Sequence, residues 1–248
     1  MDDRIIISMT SYPKRIKFVA KVWFSILRQI KPEYNCRCVL VLAEPEFPNR
    51  IDDLPSDLRL MISHGLIELL WTKFNTKSHK KLMPVLEKYP EDSILIVDDD
   101  QYRPDGWLKI FIDDHKKWPH DVLTGLILHR EVNKRFVINR IQDAERGTII
   151  INGRPQNGRG GTLYPPHVFT DKEFFDRNLY MKLSPTSDES WQYFFMRRHN
   201  IWPRATSKWI NDVHLVVKEA QSTALWETNR GKYDSILKNM MEYFHEPK

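Results

Sequence analysis

The sequence predicts an α/β fold with a mainly parallel central sheet, helices on its faces and a smaller mixed sheet at one side. Short apolar runs alternate with helical segments of about a dozen residues, which is the pattern of βαβ units. The run Ile5–Met9 is continuously apolar, as expected for a strand buried on both faces. A second run, Ile94–Val97, leads into three consecutive aspartates, which places polar chemistry at the carboxyl end of a buried strand.

The first half of the chain is expected to follow strand and helix in turn. Each predicted strand is a short apolar run, and each predicted helix carries apolar residues three and four positions apart. Pro32 and Pro90 end the two helices, and the prolines between 45 and 55 predict a loop. The elements are strand 5–9, helix 18–30, strand 39–43, strand 66–71, helix 77–89 and strand 93–97.

The second half is expected to be more mixed and partly antiparallel. Its glycine-rich stretch, 153–161, predicts a loop in which the backbone can approach a ligand closely. The remaining elements are helix 107–118, strands 122–128, 136–141 and 148–151, and helices 171–178, 189–199 and 223–244.

Length and composition limit the classes of protein that fit. The 248 residues suit one domain, and a hydrophobic fraction of 41% excludes a disordered chain. The apolar runs are far shorter than the roughly 18 residues of a transmembrane helix, and the acidic start has no small-residue cleavage site. We therefore expect a cytoplasmic protein. The net charge of +5 is modest and comes with no nucleic-acid-binding motif, so no nucleic-acid partner is expected.

Asp98, Asp99 and Asp100 form the strongest local signal. In an extended chain Asp98 and Asp100 point to the same side, so we expect them to converge while Asp99 points elsewhere. Adjacent carboxylates repel one another unless a positive group neutralises them, and Mg²⁺ or Mn²⁺ held together with substrate phosphates is a natural partner. The alternative is a solvated acidic turn, which Pro104-Asp105-Gly106 favours.

Two further clusters could contribute to such a site. Four lysines at 73, 77, 80 and 81 lie beside a predicted helix start, and both features attract a diphosphate; a solvated lysine face is the alternative. Asp188 and Glu189 begin another helix, where a carboxylate can serve as a general base or simply favour the helix dipole.

Five segments in order resemble the motif series of GT-A-fold glycosyltransferases. The likeness is to small transferases that build bacterial surface polysaccharides and the glycans of large algal viruses, and it spans residues 5 to about 195. It implies a GT-A (Rossmann-like) fold, in the cytosol of a bacterium or, for a viral protein, of its host. The segments are Ile5–Arg15, Lys77–Leu82, Val97–Asp100, Gly160–Pro166 and Ser187–Trp191.

The resemblance implies a role for each matched residue. Asp98-Asp99-Asp100 matches the Asp-x-Asp motif, in which Asp100 would be the chief ligand of Mn²⁺ or Mg²⁺ and Asp98 would lie nearer the nucleoside. His214 would be a late additional metal ligand, with a structural histidine as the alternative. The nucleotide sugar would also contact Thr10, Ser11, Tyr12 and Arg15 at the base and ribose, Glu44 at the base, and Lys77 and Lys81 at the phosphates.

The acceptor side of the predicted site is less fully specified. The family pattern has two aspartates before the tryptophan, whereas this chain has Asp188-Glu189, so the identity of the base stays open. We expect the backbone at Gly160 and Gly161 to lie against the sugar and Tyr164 to pack on its apolar face, with a plain hairpin loop as the alternative. A basic excess between Arg130 and Gly161 would suit an anionic or lipid-linked acceptor, and peripheral membrane association is left open.

The resulting hypothesis is a metal-dependent glycosyltransferase that moves a sugar from a nucleotide-diphosphate sugar, most simply a UDP-sugar, to a glycan hydroxyl with inversion. A sugar-phosphate nucleotidyltransferase is the alternative enzyme class, and a basic nucleic-acid-binding module is the non-enzymatic one. The expected organisation is a single domain, 1–248, with a nucleotide-binding half (1–105), an acceptor-side half (106–220) and a C-terminal helix (221–248).

Overall fold

The computed structural model describes residues 4–125, 160–207, 217, 219–220 and 232–245. Short 3₁₀ helices at Glu44–Glu46, Arg50–Asp53, Lys77–Lys81 and Lys172–Phe175 join the longer elements. The strands are β1 (Ile5–Thr10), β2 (Cys36–Ala43), β3 (Glu68–Thr72), β4 (Ser93–Val97), β5 (Leu123–Thr124), β6 (Thr162–Tyr164) and β7 (Arg204–Ala205). The α-helices are α1 (Ile16–Leu27), α2 (Ser56–Ser63), α3 (Met83–Lys88), α4 (Trp107–Lys117), α5 (Arg177–Leu183), α6 (Asp188–Arg198) and α7 (Tyr233–Tyr243).

The strands form one mixed sheet in the order β3-β2-β1-β4-β6-β5-β7. Strands β3, β2, β1 and β4 run parallel to one another, whereas β6 runs antiparallel to both of its neighbours, β4 and β5. The chain moves outward from β1 to β3 and then returns to place β4 on the other side of β1. This reversal opens a crevice at the carboxyl ends of β1 and β4, where ligands of open α/β sheets bind. The predicted α/β fold is confirmed.

Two apolar cores cover the two faces of the sheet. Ile5, Ile7 and Met9 of β1 pack in the core that includes side chains of α1, α2 and α4. Ile6 points the other way and packs in the core that includes side chains of α3, α5, α6 and α7. The alternation of neighbouring side chains along a strand explains why every residue from Ile5 to Met9 is apolar or small.

Several element boundaries differ from the prediction. Helix α2 forms within the segment predicted as a loop, because the prolines at 45, 48 and 55 all precede its first residue, Ser56. The helix predicted over 77–89 is divided into a 3₁₀ turn, Lys77–Lys81, and α3. The helix predicted over 171–178 is likewise a 3₁₀ turn followed by α5. The strands predicted at 136–141 and 148–151 lie outside the described residues.

No α-helix within the described ranges is both long enough and apolar enough to cross a membrane.

Gly125 and Gly160 allow the backbones next to β5 and β6 to approach very closely. A Cβ atom built on Gly160 would lie 2.6 Å from the Cα atom of Gly125, which is well inside the contact distance. The indole nitrogen of Trp107 donates to the carbonyl oxygen of Gly160 at 2.7 Å and fixes the same segment to α4. The glycine pair is therefore required by packing.

We expect Gly160→Ala to lower the free energy of unfolding by about 2 kcal/mol or more, because one of two packed backbones must move. Gly65→Ala is the matched control: Gly65 has a φ of +69° but nothing within 4 Å of the added methyl group, so only about 1 kcal/mol of backbone strain is expected. Urea unfolding of the two variants measures both losses. A loss in Gly160→Ala no larger than in Gly65→Ala would contradict the packing argument.

Candidate active site at the carboxyl ends of β1 and β4

The crevice at the carboxyl ends of β1 and β4 gathers charged side chains from four parts of the chain. Ser11 and Arg15 follow β1, and the acidic turn Asp98–Asp100 follows β4. Lys81 comes from the 3₁₀ turn before α3, while Asp188 and Glu189 begin α6. These residues are far apart in the sequence, and the sheet topology brings them together.

Arg15 anchors one half of the acidic turn. Its Nη1 contacts Oδ1 of Asp99 at 2.7 Å, and its Nη2 lies 3.3 Å from Oδ2 of Asp100. The hydroxyl of Ser11 donates to the other oxygen of Asp99 at 2.6 Å. Burial raises the pKa of Asp99 to about 6, although Arg15 opposes that shift. Burial lowers the pKa of Arg15, but Asp99 and Asp100 more than reverse the effect.

Lys81 anchors the other half and connects it to α6. Its buried Nζ lies 2.9 Å from Oδ1 of Asp98 and 3.2 Å from Oδ2 of Asp188. Burial disfavours the ammonium ion, but Asp188, Asp98 and Glu189 together hold the pKa of Lys81 well above its usual range. Ser8 of β1 donates to the backbone carbonyl of Lys81 at 2.6 Å, which fixes the 3₁₀ turn against the sheet.

Asp188 is held from behind by a polar chain. Gln192 donates its amide nitrogen to Asp188 at 3.2 Å, and its amide oxygen accepts a hydrogen bond from the Tyr164 hydroxyl at 2.7 Å. Asp188 is only 1% exposed. Burial raises its pKa, but Lys81, His79 and the Ser78 hydroxyl together bring the pKa below its usual value, so the carboxylate is a weak base in this position. In this structure Asp188 is thus a buried partner of Lys81.

The side chains of the three aspartates do not alternate in direction along the acidic turn as predicted. Asp99 and Asp100 share Arg15, whereas Asp98 contacts Lys81. The reason is that β4 ends at Val97 and the next residues turn, so the two-residue period of a strand no longer applies. The side chain of Asp98 is 27% exposed and that of Asp100 is 15% exposed, against 7% for Asp99. Asp98 and Asp100 are thus the members of the trio nearest to solvent.

The charges of the site favour binding of a cation. Three cationic side chains, Arg15, Lys81 and the buried Arg103, lie near the acids. Among the residues that the structure describes, the acids around them are Asp98, Asp99, Asp100, Asp188 and Glu189, which outnumber these three cations by two. No group of three or more His, Cys, Asp and Glu side chains among the described residues could hold a metal by itself. Mg²⁺ is nevertheless commonly held by one or two carboxylates completed by substrate phosphates and water, and Asp98 and Asp100, as the more exposed carboxylates of the turn, have the chemistry that such an ion needs.

The remaining predicted contacts of the nucleotide sugar line the same edge of the sheet. The hydroxyl of Thr10 donates to the carbonyl of Val41 at 2.8 Å and ties β1 to β2. Tyr12 packs against the Arg15 guanidinium, 5.9 Å from ring centre to Cζ. Glu44 lies just after β2 and pairs with Arg50 at 2.8 Å. Their roles towards a ligand stay predictions.

The lysine cluster does not form a single basic face. Lys77 is exposed, and its φ of +53° lies in the left-handed region that is uncommon for a side chain of this type. Lys80 is buried and pairs with Glu46, while Lys81 enters the site. Successive side chains of a 3₁₀ turn point about 120° apart around its axis, so the neighbours Lys80 and Lys81 extend in different directions.

Three residues predicted to contact the sugar are buried in this structure, and the contacts themselves stay predictions. Tyr164 is fully buried in the core, where its ring lies 5.3 Å from that of Phe169. Gly160 is buried against Gly125, and Gly161 is buried beside Trp107 with a φ of +91°. Both glycines are required by the backbone packing at the start of β6. His214, the predicted late metal ligand, lies outside the described residues.

Sequence reasoning missed three polar residues that support the site. Arg103 is 2% exposed behind the acidic turn, where burial lowers its pKa against the pull of Asp98 and Asp100. His79 is fully buried, its pKa lowered by burial, with Nε2 2.8 Å from the carbonyl of Ser184 and its ring stacked on Tyr180. Gln192 holds Asp188. The one sequence signal for Gln192 was its own position, as a polar residue within the largely apolar segment 190–196.

Comparison with known proteins supports the fold. No protein-family model and no curated protein matches the chain. The crystal structure of residues 1–349 of S. aureus TarS in complex with UDP is similar, with a TM-score of 0.53 and 17% identity, over 77% of this chain and 55% of that chain. The structure of the same TarS segment without a named ligand gives a TM-score of 0.52.

A second type of solved structure is similar over its whole length. The crystal structure of 4-diphosphocytidyl-2C-methyl-D-erythritol synthase has a TM-score of 0.50 and 12% identity, over 98% of this chain and 100% of that chain. The present chain spans about half the length of the TarS structure with UDP, 55%. At these identities the likeness establishes a shared α/β fold and leaves the activity to be argued from the site.

We expect the ionisation of Asp99 to reduce stability as the pH rises from about 4 to about 6. The folded protein holds this proton more tightly than the unfolded chain, because the pKa of about 6 exceeds the ordinary value of 3.8. Ionisation therefore costs on the order of 3 kcal/mol of unfolding free energy across that interval.

Asp99→Asn should lose this part of the pH dependence, measured by denaturant unfolding at several pH values between 4 and 7. Asp105→Asn is the control, since that side chain is 79% exposed. Parallel pH profiles for wild type and Asp99→Asn would show that the buried carboxyl group does not titrate in this range.

Proposed function

We propose that this protein is a divalent-cation-dependent glycosyltransferase that uses a nucleotide-diphosphate sugar, with UDP-sugars the first donors to test. The acceptor is a hydroxyl group of a glycan, and the reaction inverts the anomeric centre. The observation that carries the proposal is the acidic turn Asp98–Asp100 at the crevice between β1 and β4, facing the carboxylates that begin α6.

The excess of carboxylates over cations among the described site residues supports a bound cation. A site in which carboxylates outnumber cations by two repels a diphosphate unless a cation is bound with it. Asp98 and Asp100 would hold that ion. When bound, a divalent cation neutralises the diphosphate and stabilises the negative charge that develops on the leaving group. The complex of the similar TarS structure with UDP supports a uridine nucleotide as the donor's carrier.

The chain's own residues then position the acidic turn. Arg15 holds Asp99 and Asp100, and Lys81 holds Asp98, so both ends of the turn are fixed before any ligand arrives. A fixed arrangement of charges costs little reorganisation when the leaving group separates. These buried ion pairs therefore hold the acidic turn in position before a ligand binds.

Glu189 is the better candidate for the general base. Asp188 is nearly inaccessible, and Lys81 keeps its pKa low. Glu189 is half-buried at the same helix start, and its Oε2 accepts a hydrogen bond from the Ser187 hydroxyl at 3.3 Å. A carboxylate at this position can reach solvent and an incoming acceptor, whereas its neighbour cannot.

The proposed reaction is a single displacement. Glu189 takes the proton of the acceptor hydroxyl as the acceptor oxygen forms a bond to the anomeric carbon. The bond from that carbon to the diphosphate oxygen breaks, and its electron pair leaves with the nucleoside diphosphate. Attack opposite to the leaving group inverts the configuration, and a protein base on the acceptor side suits this geometry.

A sugar-phosphate nucleotidyltransferase is the second candidate, because the similar synthase structure is covered along its whole length. Such an enzyme would join a nucleoside triphosphate to a sugar or polyol phosphate and release diphosphate. We would expect glycine and basic residues right after β1 to hold a triphosphate, whereas Thr10-Ser11-Tyr12-Pro13 contains no glycine. The loop after β1 thus favours the glycosyltransferase.

Asp100→Asn should weaken the metal-dependent part of UDP binding by about tenfold or more, since it removes a charged ligand of the ion. Titration calorimetry with UDP, with and without Mn²⁺, measures this in wild type and variant. Asp105→Asn, in the exposed part of the same loop, should bind as wild type does.

Metal-independent UDP binding in the wild-type protein would contradict the cation role. If the protein instead releases diphosphate from a nucleoside triphosphate and a sugar 1-phosphate, the nucleotidyltransferase replaces the proposal.

Glu189→Gln should keep its affinity for the UDP-sugar within about twofold and lose turnover by about a hundredfold or more, because only proton removal is impaired. Asp188→Asn should instead lower the free energy of unfolding by about 3 kcal/mol, because it weakens a buried pair with Lys81. Turnover, donor binding and unfolding are measured on both variants. Normal turnover in Glu189→Gln would exclude Glu189 as the base.

A further inference from the structure

The solvent face of α1 is basic with one aromatic residue at its centre. The exposed residues of this helix and its C-cap are Lys17, Lys21, Phe24 and Arg28, spaced four, three and four residues apart. That spacing places them along one stripe. All other side chains of α1 are buried or half-buried against the sheet and neighbouring helices.

Few acidic residues lie close enough to this stripe to neutralise its positive charge. The sequence has no Asp or Glu between Arg4 and Pro32, and exposed Lys14 and Lys31 extend the stripe at both ends. Arg28 pairs with Asp105 at 2.9 Å, and Asp57 of α2 lies nearby. Within the described part of the chain, Lys17 and Lys21 form no ion pair.

Apolar surface lies next to the cations. Phe24, which lies between Lys21 and Arg28 on the stripe, is 62% exposed. A cavity of about 480 Å³ opens between α1 and α2, walled on its apolar side by Ala20, Phe24, Met61 and Tyr102. Large apolar side chains with this exposure beside a recess are typical of interaction surfaces.

We propose that this face of α1 and α2 binds a bilayer surface that contains anionic lipids. Lysine and arginine are attracted to anionic headgroups, and an exposed phenylalanine gains free energy by entering the boundary between headgroups and acyl chains. The basic stripe alone would also suit a nucleic acid or an acidic protein. The exposed Phe24 and the apolar recess beside it favour the bilayer, because the boundary between headgroups and acyl chains covers apolar surface that a phosphate backbone or a run of carboxylates leaves exposed.

The position of the face gives the binding a consequence for the site. Helix α1 begins at Ile16, directly after Arg15, so its amino-terminal end adjoins the acidic turn. A protein docked through α1 would hold its crevice close to the membrane, within reach of an acceptor carried on a lipid. This consequence rests on the proposed function, whereas the membrane binding does not.

Sedimentation with phospholipid vesicles tests the binding without donor or acceptor. The protein should bind vesicles of mixed phosphatidylcholine and phosphatidylglycerol, and the bound fraction should fall as salt is raised about tenfold. The double variant Lys17→Glu/Lys21→Glu should reduce the partition coefficient by at least about tenfold. Phe24→Ala should reduce it severalfold while leaving the salt dependence unchanged, because it removes apolar insertion alone.

The matched control is Lys172→Glu/Lys182→Glu, which changes the net charge equally. Both control lysines are exposed and flank the core on the opposite face of the sheet. An equal loss in this control, or equal binding to pure phosphatidylcholine, would overturn the proposal. So would a Phe24→Ala variant that binds as wild type, or a protein that binds polyglutamate or an oligonucleotide but no vesicles. Since UDP binding is measured separately, failure here would leave the proposed reaction standing.

Discussion

The site depends on the two ion pairs that the buried ammonium group of Lys81 forms. This group contacts Asp98 at the end of β4 and Asp188 at the start of α6, and so it joins two elements separated by ninety residues of sequence. Removing one partner from a buried ion pair leaves an uncompensated charge and costs about 3–5 kcal/mol. The acidic turn, the start of α6 and the 3₁₀ turn therefore keep their relative positions only while all three charges are present.

Arg15 performs the corresponding task on the other side of the turn. It leaves β1 for α1 with its guanidinium directed at Asp99 and Asp100, and Ser11 completes the shell around Asp99. The two cations contact different members of the turn, and Asp98 and Asp100 are the members nearest to solvent. The combination of a rigid acidic turn and, among the described residues, an excess of carboxylates is the basis for proposing that a cation and a diphosphate bind there together.

The similar solved structures show that the fold alone does not identify the reaction. One was crystallised with UDP, and another is a synthase whose name specifies a diphosphocytidyl product. Because one α/β architecture can support different reactions, particular side chains have to distinguish glycosyl transfer from the alternative. The absence of glycine after β1 and the half-buried Glu189 beside an inaccessible Asp188 are the two features that favour it.

The sequence by itself determined the α/β class, strands β1, β2 and β4, and the position of an acidic turn at a strand end, because hydrophobic periodicity and proline act locally. It also placed Lys81, Asp188 and Glu189 among the site residues, through their order in a motif series. It could not reveal that Asp188 is buried against Lys81, that Tyr164 lies in the core, or that Gly160 packs on Gly125. Those outcomes depend on which surfaces meet when distant segments fold together, and only the tertiary structure decides that.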